Sequence, residues 1–200
     1  MAKKIVAIVG SYRKGGITDQ VADAILESAQ KKGAAAEKIL LIDKHIEFCT
    51  NCRKCASDDP QKRRGECVLT DDMAGLLSMI DSADAVVFGS PINFGNVTAV
   101  MKRFVERLLP YTYWPWDKSI PKVRIKNRDK KMVVTTSSAC PALMSRFLMP
   151  YSEKILTDCA EVIGAKVVKS LYFGAVCREE KQKLDKRQIR LAELAGIALV

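Results

Sequence analysis

Ile5-Val6-Ala7-Ile8-Val9-Gly10-Ser11-Tyr12-Arg13-Lys14-Gly15-Gly16-Ile17-Thr18 starts as an unbroken apolar run and gives way at Gly10 to hydroxyl, basic and glycine residues. A continuous, mostly β-branched run without alternation is the pattern of a strand buried on both faces. Val21, Ala22, Ile25, Leu26 and Ala29 then recur at helical spacing, with Thr18 expected to cap that helix and Gly33 to stop it. Where a strand turns directly into a helix, free backbone N–H groups and the positive end of the helix dipole converge on one point, which suits an anion. Here glycines permit close approach, Ser11 and Thr18 supply hydroxyls and Arg13 supplies charge. The Gly-Lys-Ser/Thr ending of an ATP-binding loop and the Gly-x-Gly-x-x-Gly order of a dinucleotide turn are both missing, so a monophosphate fits better. An ordinary strand-to-helix turn is the competing reading.

Outward from that stretch, strands and helices alternate. Strands are expected at 35–41, 85–89, 132–136 and 166–173, and helices at 72–82, 98–109, 152–163 and 183–198. Five strands separated by helices predict a parallel sheet covered on both faces. The 200 residues, 48% of them hydrophobic, can bury a full core and are read as one domain over 1–200. Two segments interrupt the alternation, a cysteine-rich loop at 49–67 and an aromatic, proline-rich insertion at 110–131. The insertion carries Tyr111, Tyr113, Trp114 and Trp116, and is expected to form an oligomer interface or a lid; packing on its own domain is the alternative.

The Met-Ala-Lys-Lys start and the short run Ile5–Val9 fit neither a signal peptide nor a membrane span, so the expectation is a cytoplasmic protein without a membrane partner. The net charge of +10 raises nucleic-acid binding, but the basic residues fall in short groups without a recognisable module, and no nucleic-acid partner is expected. A basic surface also steers anionic cofactors and acidic redox partners.

Four of the seven cysteines cluster as Cys49-x-x-Cys52-x-x-Cys55 followed by Cys67, and four thiolates are what a 4Fe-4S cluster takes. Arg53, Lys54, Lys62, Arg63 and Arg64 nearby favour thiolates and offset cluster charge. Zinc competes for four thiolates, although it prefers paired Cys-x-x-Cys elements, and a set of reduced thiols without metal is the third reading. Cys159 and Cys177 are read as small buried apolar residues, and the single histidine, His45, as polar surface.

Gly10-Ser11-x-Arg13 with Thr18, then Gly89-Ser90-Pro91-Ile92-Asn93-Phe94, then Lys102-x-x-x-Glu106-Arg107, resembles the NADPH-dependent FMN reductase family, and the cysteine cluster resembles its iron–sulfur flavoprotein branch. The resemblance runs over about residues 3–175 and implies a flavodoxin-like three-layer α/β/α fold with parallel strand order 2-1-3-4-5. It implies FMN at the carboxyl ends of the strands, with Ser11, Arg13, Gly16, Ile17 and Thr18 on its phosphate and Pro91, Ile92, Asn93 and Phe94 along the ring. A third loop, Thr136, Ser137 and Ser138 through Cys140, would complete the site. Asn93 stands where the family usually has Tyr, and the eleven-residue gap from Cys55 to Cys67 is longer than the branch uses.

FMN carries its own hydride and one-electron chemistry, so the lack of an acid–base constellation agrees with this resemblance. The function it implies is NAD(P)H-dependent reduction of a flavin, quinone or other small acceptor, by a homodimer or homotetramer. An electron carrier relaying electrons from ferredoxin through a 4Fe-4S cluster to FMN is the second reading. A phosphate- or nucleotide-binding regulatory module with a zinc-stabilised loop is the third.

Overall fold

The computed structural model describes residues 2–200. Five parallel strands form its centre: β1 (Lys4–Val9), β2 (Ala35–Leu40), β3 (Ala85–Asn93), β7 (Lys130–Ser137) and β8 (Ala165–Phe173). Their order is β2-β1-β3-β7-β8, so the strand order expected from the resemblance, 2-1-3-4-5, is the one observed. A two-residue strand, β4 (Asn96–Val97), folds back antiparallel on the end of β3, and β5 (Thr112–Tyr113) pairs with β6 (Lys122–Val123) inside the insertion.

Helices cover both faces. On one side, α1 (Ile17–Gln30) and α7 (Lys186–Leu199) pack on Ile5, Ala7, Val9, Val87 and Val133. On the other, α3 (Met73–Ser82), α4 (Ala99–Glu106) and α6 (Pro150–Val162) cover Val6, Ile8, Val86, Phe88 and Val134. Successive residues of β1 alternate between the two cores, which is why that strand must be apolar at every position. Two short helices, α2 (Lys54–Ser57) and α5 (Ala142–Leu148), complete the set.

Several boundaries differ from those expected, each for a local reason. Gly16, in extended conformation, is the N-cap of α1, and Thr18 lies buried inside the first turn, where its hydroxyl bonds Ser137 at 2.8 Å. The third strand runs on through Pro91 and Ile92 to Asn93, because the hairpin to β4 extends it. The turn falls at Phe94 and Gly95, both at positive φ (49° and 77°). Residues 142–148 form a helix where none was expected. Thr98 caps α4 through its hydroxyl, and α7 starts with a capping box between Asp185 and Gln188.

The insertion at 110–131 packs on the cysteine loop of its own chain. The Trp114 N–H donates to the Ala56 carbonyl, the Gly65 N–H to the Pro110 carbonyl, and Arg124 reaches the carbonyls of Cys55, Asp58 and Asp59. The Arg53 guanidinium lies over Trp114 at 3.5 Å and Trp116 at 4.3 Å. The aromatic polar handles turn elsewhere: the Trp114 indole N–H donates to the Lys118 carbonyl and the Tyr111 hydroxyl to the Leu77 carbonyl and Asp81.

Helices α1 and α7 touch at Gly196, where an added Cβ would stand 2.1 Å from the Ile25 carbonyl oxygen. An alanine in a helix interior ordinarily stabilises by about 1 kcal/mol over glycine. Gly196→Ala is expected to do the opposite and destabilise by about 1–3 kcal/mol through overpacking. A urea midpoint equal to or above that of the parent protein would show that the two helices are free to separate there.

Candidate functional site

The carboxyl ends of β1, β3 and β7 open into a cleft of about 1020 Å³, a size that holds a cofactor. Its floor is the turn between β1 and α1. Gly16 caps α1 without a side-chain bond, which leaves the N–H groups of the first helical turn directed at the cleft. The turn is held rigid from behind: Ser11 Oγ accepts from the Arg13 N–H and donates to the Arg13 carbonyl, both at 3.1 Å. Buried Asp19 accepts from the Gly15 N–H at 2.6 Å and pairs with Lys38 at 2.6 Å. Lys38 titrates above its ordinary range: burial lowers its pKa, but the carboxylates of Asp19 and Asp23 more than compensate. Asp19 is thereby occupied, so it does not place an uncompensated negative charge beside a bound anion.

Three loops meet through buried hydroxyls. Thr98 Oγ1 donates to the Gly10 carbonyl at 2.6 Å, its N–H donates to Ser90 Oγ at 3.1 Å, and Thr18 and Ser137 bond at 2.8 Å. Gly10 is obligatory, because a Cβ there would stand 2.6 Å from that of Met101. Ser11, Arg13, Gly16, Ile17, Thr18, Pro91, Ile92, Asn93, Ser137 and Ser138 all line the cleft. Phe94 does not: it stands fully exposed at the hairpin tip, and neither a core role nor a place in the cleft falls to it. Thr136 lies beneath the surface, fully buried, with its hydroxyl unpartnered.

A fourth wall went unread in the sequence. Residues Val176, Cys177 and 179–183 close the cleft opposite the second loop. Gln20 fixes them there: its amide donates to the carbonyls of Gly15 (2.7 Å) and Gln182 (2.9 Å) and accepts from the Leu184 N–H. Cys177, expected in the core, is exposed on this wall, whereas Cys159 is buried in the core. The signal available was positional, since this segment follows the fifth strand and so leaves the sheet at the same edge.

The cysteine loop lies at the far end of α4. Residues 45–47 and 71–73 run side by side and close its base: the His45 N–H donates to Asp72, the Glu47 N–H to Asp71 at 2.8 Å, and the Asp72 N–H to the His45 carbonyl. Arg107, 2% exposed, pairs with the buried side chain of Asp71 through both nitrogens, at 2.5 and 3.1 Å. It also donates to the Glu47 carbonyl at 2.8 Å and to Cys67 Sγ at 3.5 Å. The return limb comes within backbone contact of the Cys-x-x-Cys-x-x-Cys turn, since a Cβ on Gly65 would stand 1.8 Å from the Cys55 carbonyl oxygen.

The long gap is thus an excursion that comes back, and Cys67 rejoins the other three. Burial, then the charges of Cys67, Cys49 and Cys52, push the Cys55 thiol up to about 11. Cys52 is shifted the other way, chiefly by the Lys54 N–H. Cys55 thus lies within range of the charges of the other three thiols of the loop. Among the described residues, however, no three His, Cys, Asp or Glu side chains are gathered closely enough to hold a single metal ion. Four thiolates from one loop are the number that a 4Fe-4S cluster takes.

Burial opposes ionisation of Asp71, but Arg107 and the N–H groups of Glu47 and Met73 more than compensate and hold its carboxyl below the ordinary 3.8. The unfolded chain therefore takes up the proton first: the pair's contribution is complete above about pH 4 and is lost as pH falls through the folded pKa. Urea midpoints are expected to be flat from pH 7 to 5 and to drop on further acidification. In an Asp71→Asn/Arg107→Gln variant this acid slope is expected to be shallower by up to about 1.4 kcal/mol per pH unit. An identical slope in the variant would remove Asp71 as its source.

Residues 3–123 match the family model described as NADPH-dependent FMN reductase. An iron–sulfur flavoprotein of Archaeoglobus fulgidus is 40% identical over 112 residues, which make up 56% of this chain and 48% of the relative. An iron–sulfur flavoprotein of Methanocaldococcus jannaschii is 33% identical over 107 residues, 54% of this chain and 52% of the relative. The chain thus matches about half the length of these curated relatives. Among solved structures, an NAD(P)H:quinone oxidoreductase from Methanothermobacter marburgensis superposes with a TM-score of 0.70 at 17% identity, covering 98% of both chains. An FMN-dependent NADH-azoreductase from Bacillus anthracis, solved with FMN, gives 0.69 at 16% identity, covering 98% of this chain and 99% of that one. These two share the flavodoxin-like fold, the curated relatives carry the name iron–sulfur flavoprotein, and the family match, which spans the phosphate turn, the cysteine loop and α4, makes this chain a member of the NADPH-dependent FMN reductase family.

Proposed function

We infer that residues 1–200 form one flavodoxin-like domain that binds FMN in the cleft at the carboxyl edge of the sheet. With it the chain would act as an NAD(P)H-dependent oxidoreductase on a flavin, quinone or other small acceptor. The observation that carries this is the bare N-terminus of α1 facing a cleft of about 1020 Å³ that three sheet-edge loops share. Bound FMN supplies hydride and one-electron chemistry. The chain's own part is to bind, orient and shield. The first-turn N–H groups, Ser11, Thr18 and Arg13 would meet the phosphate, and Arg13 has no ion pair among the described residues to compete for its charge. Pro91, Ile92 and Asn93 would face the ring, and the wall at 176–183 would restrict water on the opposite side.

The cysteine loop supports the second reading, an electron carrier in which Cys49, Cys52, Cys55 and Cys67 hold a 4Fe-4S cluster reduced by a ferredoxin-like donor. Relatives named iron–sulfur flavoproteins agree with it. Free thiols at all seven cysteines fit a reducing, cytoplasmic setting. No helix among the described residues is long and apolar enough to cross a membrane. The same reading includes a homodimer or homotetramer, with its contact surface moved from the aromatic insertion, which is occupied within the chain, to α5. There Leu143 and Phe147 are exposed, as is Phe94 at the neighbouring hairpin tip. A size-exclusion mass of one chain would sink the oligomer.

The deciding experiment is an anaerobic absorption spectrum with flavin and iron quantified, followed by stopped-flow mixing with NADPH. Bleaching of the flavin by NADPH within turnover times is expected for the oxidoreductase; bleaching only by a low-potential electron donor favours the carrier. Arg13→Ala is expected to weaken FMN about tenfold or more, in line with a lost charge-assisted hydrogen bond, while riboflavin, which lacks the phosphate, binds as before. Equal losses for both ligands would move the phosphate away from Arg13.

A further inference from the structure

Arg107 is buried, yet neither the fold nor the flavin cleft explains its full set of partners. Its two terminal nitrogens reach Asp71, the Glu47 carbonyl and Cys67 Sγ at once. Asp71 and Glu47 are the closing points of the cysteine loop, and Cys67 is the thiol that returns from its far limb. A structural ion pair would be complete without the sulfur. We propose that Arg107 is a positioning residue for a cluster held by the loop: it fixes Cys67 as the fourth ligand and, through its N–H···S bond and its charge, raises the cluster's reduction potential. This rests on the iron–sulfur reading of the loop.

Three features of the geometry support this role. First, the guanidinium is planar and locked by the two-point contact with Asp71, so the direction of the remaining N–H is set before any cluster binds. Second, Asp71 is itself fixed, accepting from the Glu47 and Met73 N–H groups at 2.8 and 3.0 Å. Third, the sulfur's positive neighbour is shielded from water, where hydrogen bonds to sulfur and local charge are the levers that set a cluster's potential. Cluster reduction adds one negative charge beside a fixed cation, so the reduced form gains more from Arg107 than the oxidised form does. Lysine cannot replace it, because a single ammonium cannot span Asp71, Glu47 and Cys67 in the same geometry.

The test uses the full chain, reconstituted anaerobically with iron and sulfide and carrying its flavin, with cluster and flavin potentials titrated on the same sample. The variants are Arg107→Lys and, because a lone Asp71 left buried could prevent folding, the paired Asp71→Asn/Arg107→Gln. Both are expected to bind flavin like the parent protein and leave the flavin potential unchanged. The cluster's one-electron equilibrium is expected to shift at least about tenfold toward the oxidised form, ~59 mV to lower potential. Loss of iron with flavin retained also supports the role, since holding Cys67 is part of it. An unchanged cluster potential at full iron content overturns the proposal and leaves the iron–sulfur reading standing. So does a Cys67→Ser protein that keeps four irons at the parental potential. A parent protein that takes up no iron overturns both.

Discussion

The site depends on how closely α4 approaches the end of β1. With no side chain at Gly10, the backbone of the first loop lies against Met101 and accepts the Thr98 hydroxyl at 2.6 Å. Thr98 is also the N-cap of α4 and donates its own N–H to Ser90 Oγ, so one residue joins the first loop, the second loop and a helix start. Its hydroxyl is buried in the centre of the sheet edge, where an unpaired polar group costs about 1–3 kcal/mol. That penalty holds the three elements together and leaves the first turn of α1 facing outward with its N–H groups unused.

The same helix carries the second constraint at its other end. Arg107, the C-cap of α4, is out of water and must be compensated, and the Asp71 carboxylate is placed to do so. Because Asp71 also receives the Glu47 and Met73 N–H groups, the pair closes the base of the cysteine loop as well as neutralising itself. The insertion closes it from outside, with Arg53 held between two tryptophans and Arg124 bonded to three carbonyls of the loop. A loop rich in thiols is thereby kept ordered without a disulfide.

Legibility followed the range of the interactions. The strands were readable because burial on both faces leaves a composition signal in each segment alone, as in Ile5–Val9. The phosphate turn was readable because its glycines, hydroxyls and cation lie within nine residues. Thr18 reads as the cap because a hydroxyl before an apolar helix is the usual cap, and nothing local announces a bond to Ser137, 119 residues away. The hairpin that extends β3 depends on positive φ at Phe94, a residue type that gives no warning of it. The wall at 176–183 is set by Gln20, whose partners lie more than 160 residues downstream. The aromatic insertion looked like an external surface because its partner, the cysteine loop, is equally irregular and carries no periodicity to pair it with.

Helix α4 therefore connects the cleft with the cysteine loop. Its N-cap, Thr98, touches the loops around the cleft, and its C-cap, Arg107, touches Cys67. Nine residues at a rise of about 1.5 Å each put these two ends about 14 Å apart. Eight helical residues tied down at both caps form a short, stiff spacer, with Val100, Met101 and Phe104 buried along its length against the sheet. A displacement at either cap would have to break a buried hydrogen bond or ion pair before it could reach the other. The fold consequently fixes the separation between the cleft and the cysteine loop.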